Sequence, residues 1–124
     1  MVLPMHKMIV MGTLVAAGVI VGGVGCSSSL CSYSMACPND TKPTQDEITT
    51  SENQCKAQEN MYKSDPCYGD FSSYASCAKS NVACDATGKT DGTGTAAKIA
   101  ANCGTQLNNA KACCAKNTTS GLCK

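Results

Sequence analysis

Eleven cysteines in 124 residues constrain this chain more than any other feature, and ten of them fall between positions 31 and 123. The large apolar side chains beyond residue 25 are few: Leu30, Tyr33, Met35, Ile48, Met61, Tyr62, Tyr68, Phe71, Tyr74, Val82, Ile99, Leu107 and Leu122. Ordering a chain costs roughly 1–2 kcal/mol per residue, and so thin a core does not supply that in a small domain without covalent help. Disulfides are the evident help, which implies an oxidising compartment outside the cytosol. The odd count adds a second constraint. One cysteine must be reactive, paired with another chain, or chemically modified.

The residue inventory excludes more than it offers. From residue 26 onward nine lysines face nine aspartates and glutamates, and the chain has no arginine. The electrostatic footprint of a nucleic-acid binder is therefore missing. The single histidine, His6, precedes the apolar run, and no Cys-x-x-Cys occurs after residue 25. That leaves no zinc-ligand pattern and no histidine base for a serine or cysteine nucleophile. The reading is a non-enzymatic chain with no catalytic residue, cofactor or metal. Gly88-Lys89-Thr90 has the ending of a phosphate loop, but Ala83 stands where its first glycine belongs. Asp46 and Glu47 fall in a first helical turn, where the helix dipole favours negative charge, and they read as capping. The adjacent pair Cys113-Cys114 is the one candidate for thiol–disulfide chemistry. Against it stands the plainer reading that each cysteine staples a different partner.

At the amino terminus His6 and Lys7 precede an uncharged apolar stretch, Met8 to Val24, that ends in small residues before Cys26. Residues 1–25 have the anatomy of a secretory signal peptide. A retained single-pass anchor is the alternative, although the stretch is short and glycine-rich against the 20 or so residues a spanning helix needs. Val24-Gly25-Cys26 followed by Ser27-Ser28-Ser29 resembles the lipobox and serine tether of bacterial lipoproteins; Gly23 stands where that motif usually carries a larger aliphatic residue. The resemblance implies that Cys26 is the lipid-attachment residue and membrane lipid a partner. In that family Ser27 implies release to the outer membrane. Lipidating Cys26 also resolves the odd cysteine, since ten remain.

Residues 26–43 then comprise lipid attachment, serine tether and an irregular arm, and residues 44–124 a disulfide-rich helical domain. Thr44-Gln-Asp-Glu47 has the form of a capping box and predicts a helix start. That helix carries Ile48, Cys55 and Tyr62 at seven-residue intervals and stops before Pro66. Asp65 with Pro66 predicts the start of a second helix, along which Cys67, Phe71, Tyr74, Cys77, Asn81 and Cys84 form one stripe. Residues 85–95 read as a flexible connector by composition. A third helix is expected over Ala96–Lys116, bent at Gly104, with Cys123 stapling the tail. The expected fold class is all-α: a disulfide-stapled three-helix domain behind a signal segment. Its core is expected from Ile48, Tyr62, Phe71, Tyr74, Val82, Ile99 and Leu107.

Nine residues separate Cys67 from Cys77 and Cys103 from Cys113, a spacing that resembles the twin Cx9C helical hairpins of small mitochondrial proteins. In two antiparallel helices facing residues keep a constant index total, and Cys67 with Cys113 and Cys77 with Cys103 both total 180. A competing solution pairs Cys55 with Cys77 and Cys84 with Cys103. Both remain open, with Cys31, Cys37, Cys114 and Cys123 also candidates for bridges.

Taken together, the lipobox-like Cys26, the serine tether and the Tyr/Cys-patterned helices resemble small cysteine-rich predicted lipoproteins of myxobacterial type. That resemblance implies an exported cell-envelope protein and brings no defined activity; because nothing catalytic survives the residue inventory, the expected role is a binding or structural module with a protein or glycan partner. The alternatives are a thiol–disulfide redox protein using Cys113 and Cys114, and a secreted disulfide-scaffold effector or inhibitor. Asn39-Asp-Thr and Asn117-Thr-Thr would accept glycans in a eukaryotic source.

Overall fold

The computed structural model describes residues 30–124. The signal segment, Cys26 and the serine tether lie outside them. Among the described residues the chain is mostly helical, with five disulfides. It forms four α-helices where three were expected: α1 (Gln45–Tyr62), α2 (Tyr68–Ser80), α3 (Gly92–Asn102) and α4 (Gly104–Lys116). A two-residue pair of strands, β1 (Ala83–Cys84) and β2 (Thr90–Asp91), and a 3-10 turn at Gly121–Cys123 complete it.

The start of α1 follows from its capping box. The Thr44 hydroxyl accepts from the Glu47 backbone N–H at 3.3 Å, and the Glu47 carboxylate accepts from the Thr44 N–H at 2.8 Å, so two otherwise unpaired donors are satisfied together. After Tyr62 the chain turns through Pro66 into α2, as the missing proline N–H requires. The Asp65 carboxylate takes the Cys67 N–H at 2.9 Å just ahead of that helix.

Two expectations need correction. The second helix was expected to carry its stripe through Cys84, but it ends at Ser80, where the Asn81 side chain donates to the Cys77 carbonyl at 2.8 Å. Cys84 then belongs to β1. The connector is an ordered antiparallel hairpin, with Ala83 opposite Asp91 and Cys84 opposite Thr90. Asp85 orders its turn by accepting from the Thr87 and Lys89 N–H groups at 2.7 and 3.1 Å. Gly88 closes it at φ +77°, where an added Cβ would also meet Asn39 Nδ2 at 2.7 Å. Asp91 next caps α3 by accepting from Thr93 N–H at 3.1 Å, so that helix begins four residues earlier than composition implied.

The expected bend at Gly104 is instead a break at Cys103. Its N–H still bonds the Ile99 carbonyl at 2.8 Å, closing α3, while its carbonyl accepts from Leu107 at 3.0 Å, opening α4. Cys103 is fully buried and bridged to Cys77, and Gly104 beside it is a weak helix former. The helix thus changes direction where it is covalently pinned.

Packing concentrates between α2 and α4. The core there is Cys67, Phe71, Ala110, Cys114 and Leu122, flanked by Tyr62, Tyr68, Cys113 and Cys123. Phe71 is its largest buried side chain. Of the expected core, Tyr62, Tyr74, Val82, Ile99 and Leu107 are only half-buried, and α3 buries nothing fully. Ala75, Ala78, Ala83, Ala110 and cysteine sulfur fill the space instead.

Candidate functional site

Two places gather the chemistry-bearing side chains: the crosslinked α2–α4 hairpin and the junction where the arm enters the domain. In the hairpin, Cys67 bonds Cys113 and Cys77 bonds Cys103, the constant-total pairing. Antiparallel helices stapled twice make a ladder whose rungs sit at the two ends. Each rung carries an asparagine four residues after the one of its cysteines that lies within a helix, Cys77 or Cys113. Asn81 Nδ2 lies 3.6 Å from both Cys77 and Cys103 sulfurs, and Asn117 Nδ2 donates to the Cys113 carbonyl at 3.0 Å and lies 3.4 Å from its sulfur. The Cys-x9-Cys-x3-Asn pattern therefore occurs twice, at 67–81 and 103–117. The cysteine half of that repeat was legible from spacing; the asparagines are helix caps that polarise the rung sulfurs.

At one end of the ladder the carboxy-terminal tail folds back. Asp65 holds it, accepting from the Ser120 hydroxyl at 2.6 Å and the Gly121 N–H at 2.9 Å. Burial alone would raise the carboxyl's proton affinity, but the bonds from Ser120, Cys67, Gly121 and Leu122 outweigh it and hold the group below its ordinary range. The tail is then locked by a bridge from Cys114 to Cys123. Cys113 and Cys114 therefore serve different partners and do not bond each other. This arrangement brings the sulfurs of Cys67, Cys114 and Cys123 within 4.8 Å of one another. All three are in disulfides, without the thiolate charge a metal ligand supplies.

The arm docks at two points. Cys31 bonds Cys55 of α1 and Cys37 bonds Cys84 of β1, so the competing pairs Cys55–Cys77 and Cys84–Cys103 do not occur. The arm is thus tied to a helix at its start and to the hairpin strand at its end. Asp40 accepts from the Thr90 N–H at 2.7 Å and Asn39 donates to the Thr87 carbonyl at 2.7 Å. The Thr90 hydroxyl and N–H lower the Asp40 proton affinity. Near the arm's start, Tyr33 N–H donates to Glu52 at 2.8 Å. Lys79 of α2 reaches the same segment and donates to the Leu30 and Ser32 carbonyls, each at 3.1 Å. Only 7 % exposed, its amine is pulled below the ordinary lysine range by burial, with Glu52 opposing. Tyr68 donates to Glu59 at 2.9 Å, and burial together with that carboxylate pushes its phenol up to about 12.

Lys79 and the hold of Asp65 on the tail were missed because their partners lie far off in sequence, and no local pattern marks such a partner; only the local role of Asp65 ahead of α2 was legible. Asp46 and Glu47 lie in the first turn of α1. Gly88-Lys89-Thr90 sits in the strand turn, and the nearest helix start is already filled by the Asp91 side chain. Neither glycan-acceptor amide is idle, since Asn39 and Asn117 both donate to backbone carbonyls. No family model matches the chain, and no curated protein or solved structure is similar to it.

Proposed function

We propose that the chain is an exported, lipid-anchored, non-enzymatic protein of the cell envelope, held to membrane lipid through an acylated Cys26. One observation carries this reading: all ten cysteines from Cys31 to Cys123 are bonded to one another, leaving Cys26 without a partner in the chain. A cysteine in that position, after an apolar segment and before three serines, is suited to modification rather than to crosslinking. Five disulfides fit an oxidising, exported environment. Among the described residues no helix is long and apolar enough to cross a membrane, so attachment falls to the region around Cys26. Several acyl chains, at about 0.8 kcal/mol per buried methylene, hold a protein on a bilayer durably.

The short link has a consequence for how the domain is presented. Five residue steps separate Cys26 from Cys31, at most about 18 Å when extended. Lys79, Glu52 and the Cys31–Cys55 bridge fix the entry point, so a lipidated domain stands close to the bilayer on its arm side. The α2–α4 ladder and tail are then presented as a rigid module, the role being binding or structural.

Intact mass of the membrane-extracted protein tests the reading in one measurement. The expected result is loss of residues 1–25, an acyl increment on Cys26 and ten hydrogens fewer than the reduced chain. Retention of residues 1–25, or an unmodified Cys26 linking two chains, would overturn it.

A further inference from the structure

The sulfur cluster at the tail end of the ladder has a property that the other three bridges lack. Two disulfides that share no cysteine are joined through the neighbours Cys113 and Cys114, and Cys67 lies within 4.8 Å of both sulfurs of the second bridge. Cys67 is fully buried and Cys114 nearly so, while Cys113 and Cys123 are partly open to solvent. An outside reagent can reach only the open sulfurs; the buried ones can reach each other.

We propose that this end of the ladder is a thiol-exchange site, which takes a small thiol as a mixed disulfide on Cys123 and answers by presenting a free thiol at Cys113. In the first step the incoming thiolate attacks the Cys123 sulfur. The new bond is between the reagent and Cys123, the Cys114–Cys123 bond breaks, and its electron pair leaves as the Cys114 thiolate. In the second step that thiolate attacks Cys67, forming Cys67–Cys114 and breaking Cys67–Cys113. The Cys113 thiolate departs and takes up the proton released by the incoming thiol. Two disulfides and one thiol enter; two protein-borne disulfides and one thiol leave, with no net oxidation. Buried Cys114, held in an apolar core, is a poor resting place for negative charge. Cys113 is a better one, because it is more exposed and the Asn117 amide donor lies 3.4 Å from its sulfur. Throughout the second step α2 and α4 remain bridged, since Cys67 exchanges one residue of α4 for the next.

The other three bridges cannot do this. Cys77–Cys103, Cys31–Cys55 and Cys37–Cys84 have no adjacent cysteine to receive the charge. The inference stands apart from the lipid anchor, and its test does not depend on acylation.

The test maps the free thiol in full-length Cys123→Ser. N-ethylmaleimide is added to the native protein, the remaining bridges are reduced and labelled with a heavier reagent, and fragment ions between residues 113 and 114 locate each label. The expected result is a split label with Cys113 carrying the larger share, and a fall of several-fold in that share in the added Asn117→Ala background. Label confined to Cys114 would overturn the proposal. A second arm uses the unaltered chain with glutathione and decides the matter should the variant fail to fold. Glutathione on Cys123, a Cys67–Cys114 crosslinked peptide and a thiol on Cys113 are expected. No incorporation, or incorporation with the thiol remaining on Cys114, would contradict it.

Discussion

The α2–α4 ladder and the α1 arm assembly are both crosslinked, yet they are held by different means. The ladder has two rungs, a shared apolar centre around Phe71 and a tail locked onto it. Helix α1 buries only Ile48 and Cys55 and makes little direct contact with other helices. Its last turn touches the body directly, through Tyr62 against the Phe71 cluster and Glu59 accepting from Tyr68; the rest is joined through the arm by one bridge, the Tyr33–Glu52 hydrogen bond and the hold of Lys79 on the arm's carbonyls. The difference teaches that equal density of cysteines does not mean equal cooperativity. In the ladder crosslinks reinforce packing; at α1 the crosslink substitutes for it.

The largest effect that tests this contrast is full reduction. At neutral pH and 25 °C a reductant is expected to collapse the helical circular dichroism signal of the domain, because no single apolar cluster replaces five constraints each contributing about 2–4 kcal/mol. A reduced domain with a cooperative transition above about 50 °C, as in an ordinary mesophilic core, would show that the alanine-mediated contacts suffice.

Next is Phe71→Ala. From sequence alone the thin core implies that this change costs less than loss of the Cys77 crosslink. The placement of Phe71, 2 % exposed at the centre of the cluster, raises its expected cost to about 3–5 kcal/mol, at least that of one bridge. Urea unfolding of Phe71→Ala beside Cys77→Ser/Cys103→Ser ranks the two directly, and a cost under about 1 kcal/mol would mean the centre is not where the ladder is held.

A smaller effect concerns acid. The folded-state pKa of Asp65 is depressed, so its contribution is present above the ordinary aspartate value of about 3.9 and is lost as pH falls through the folded value. Asp40, Glu47 and Asp85 are depressed as well and act with the same sign. The stability gap between the native chain and Asp65→Asn should therefore narrow between about pH 5 and pH 2. A constant gap across that range would assign the Asp65 effect to shape rather than charge.

How much of this was legible in the sequence follows the same division. The ladder rungs are one of two pairings that index arithmetic allows, because antiparallel helices impose a linear register on their partners; the bridges of Cys55 to Cys31 and Cys84 to Cys37 decide between them. The Thr44 cap and the Pro66 turn are equally local, each decided within four residues. The change of direction was legible to within one residue, because Gly104 is a weak helix former; that it is a full break at Cys103 was not, since only the buried bridge to Cys77 pins it there. Nor were the arm and tail contacts, because Lys79 binds arm carbonyls and Asp65 binds the Ser120 hydroxyl and Gly121 N–H of the tail, partners 47 to 56 residues away that no local pattern marks. The strand pair was hidden by its composition: Asp85, Thr87 and Gly88 read as a loop until Asp40 and Asn39 of the arm are seen to hold it.

The central claim, that crosslinking holds α1 while packing and crosslinking together hold the ladder, is tested most directly by native-state hydrogen exchange of Cys31→Ser/Cys55→Ser. The account predicts that amides of α1 lose most of their protection, approaching the exchange of a frayed helix, while those of α2 and α4 keep theirs within a few-fold. Equal loss of protection in α1, α2 and α4, or none in α1, would contradict it.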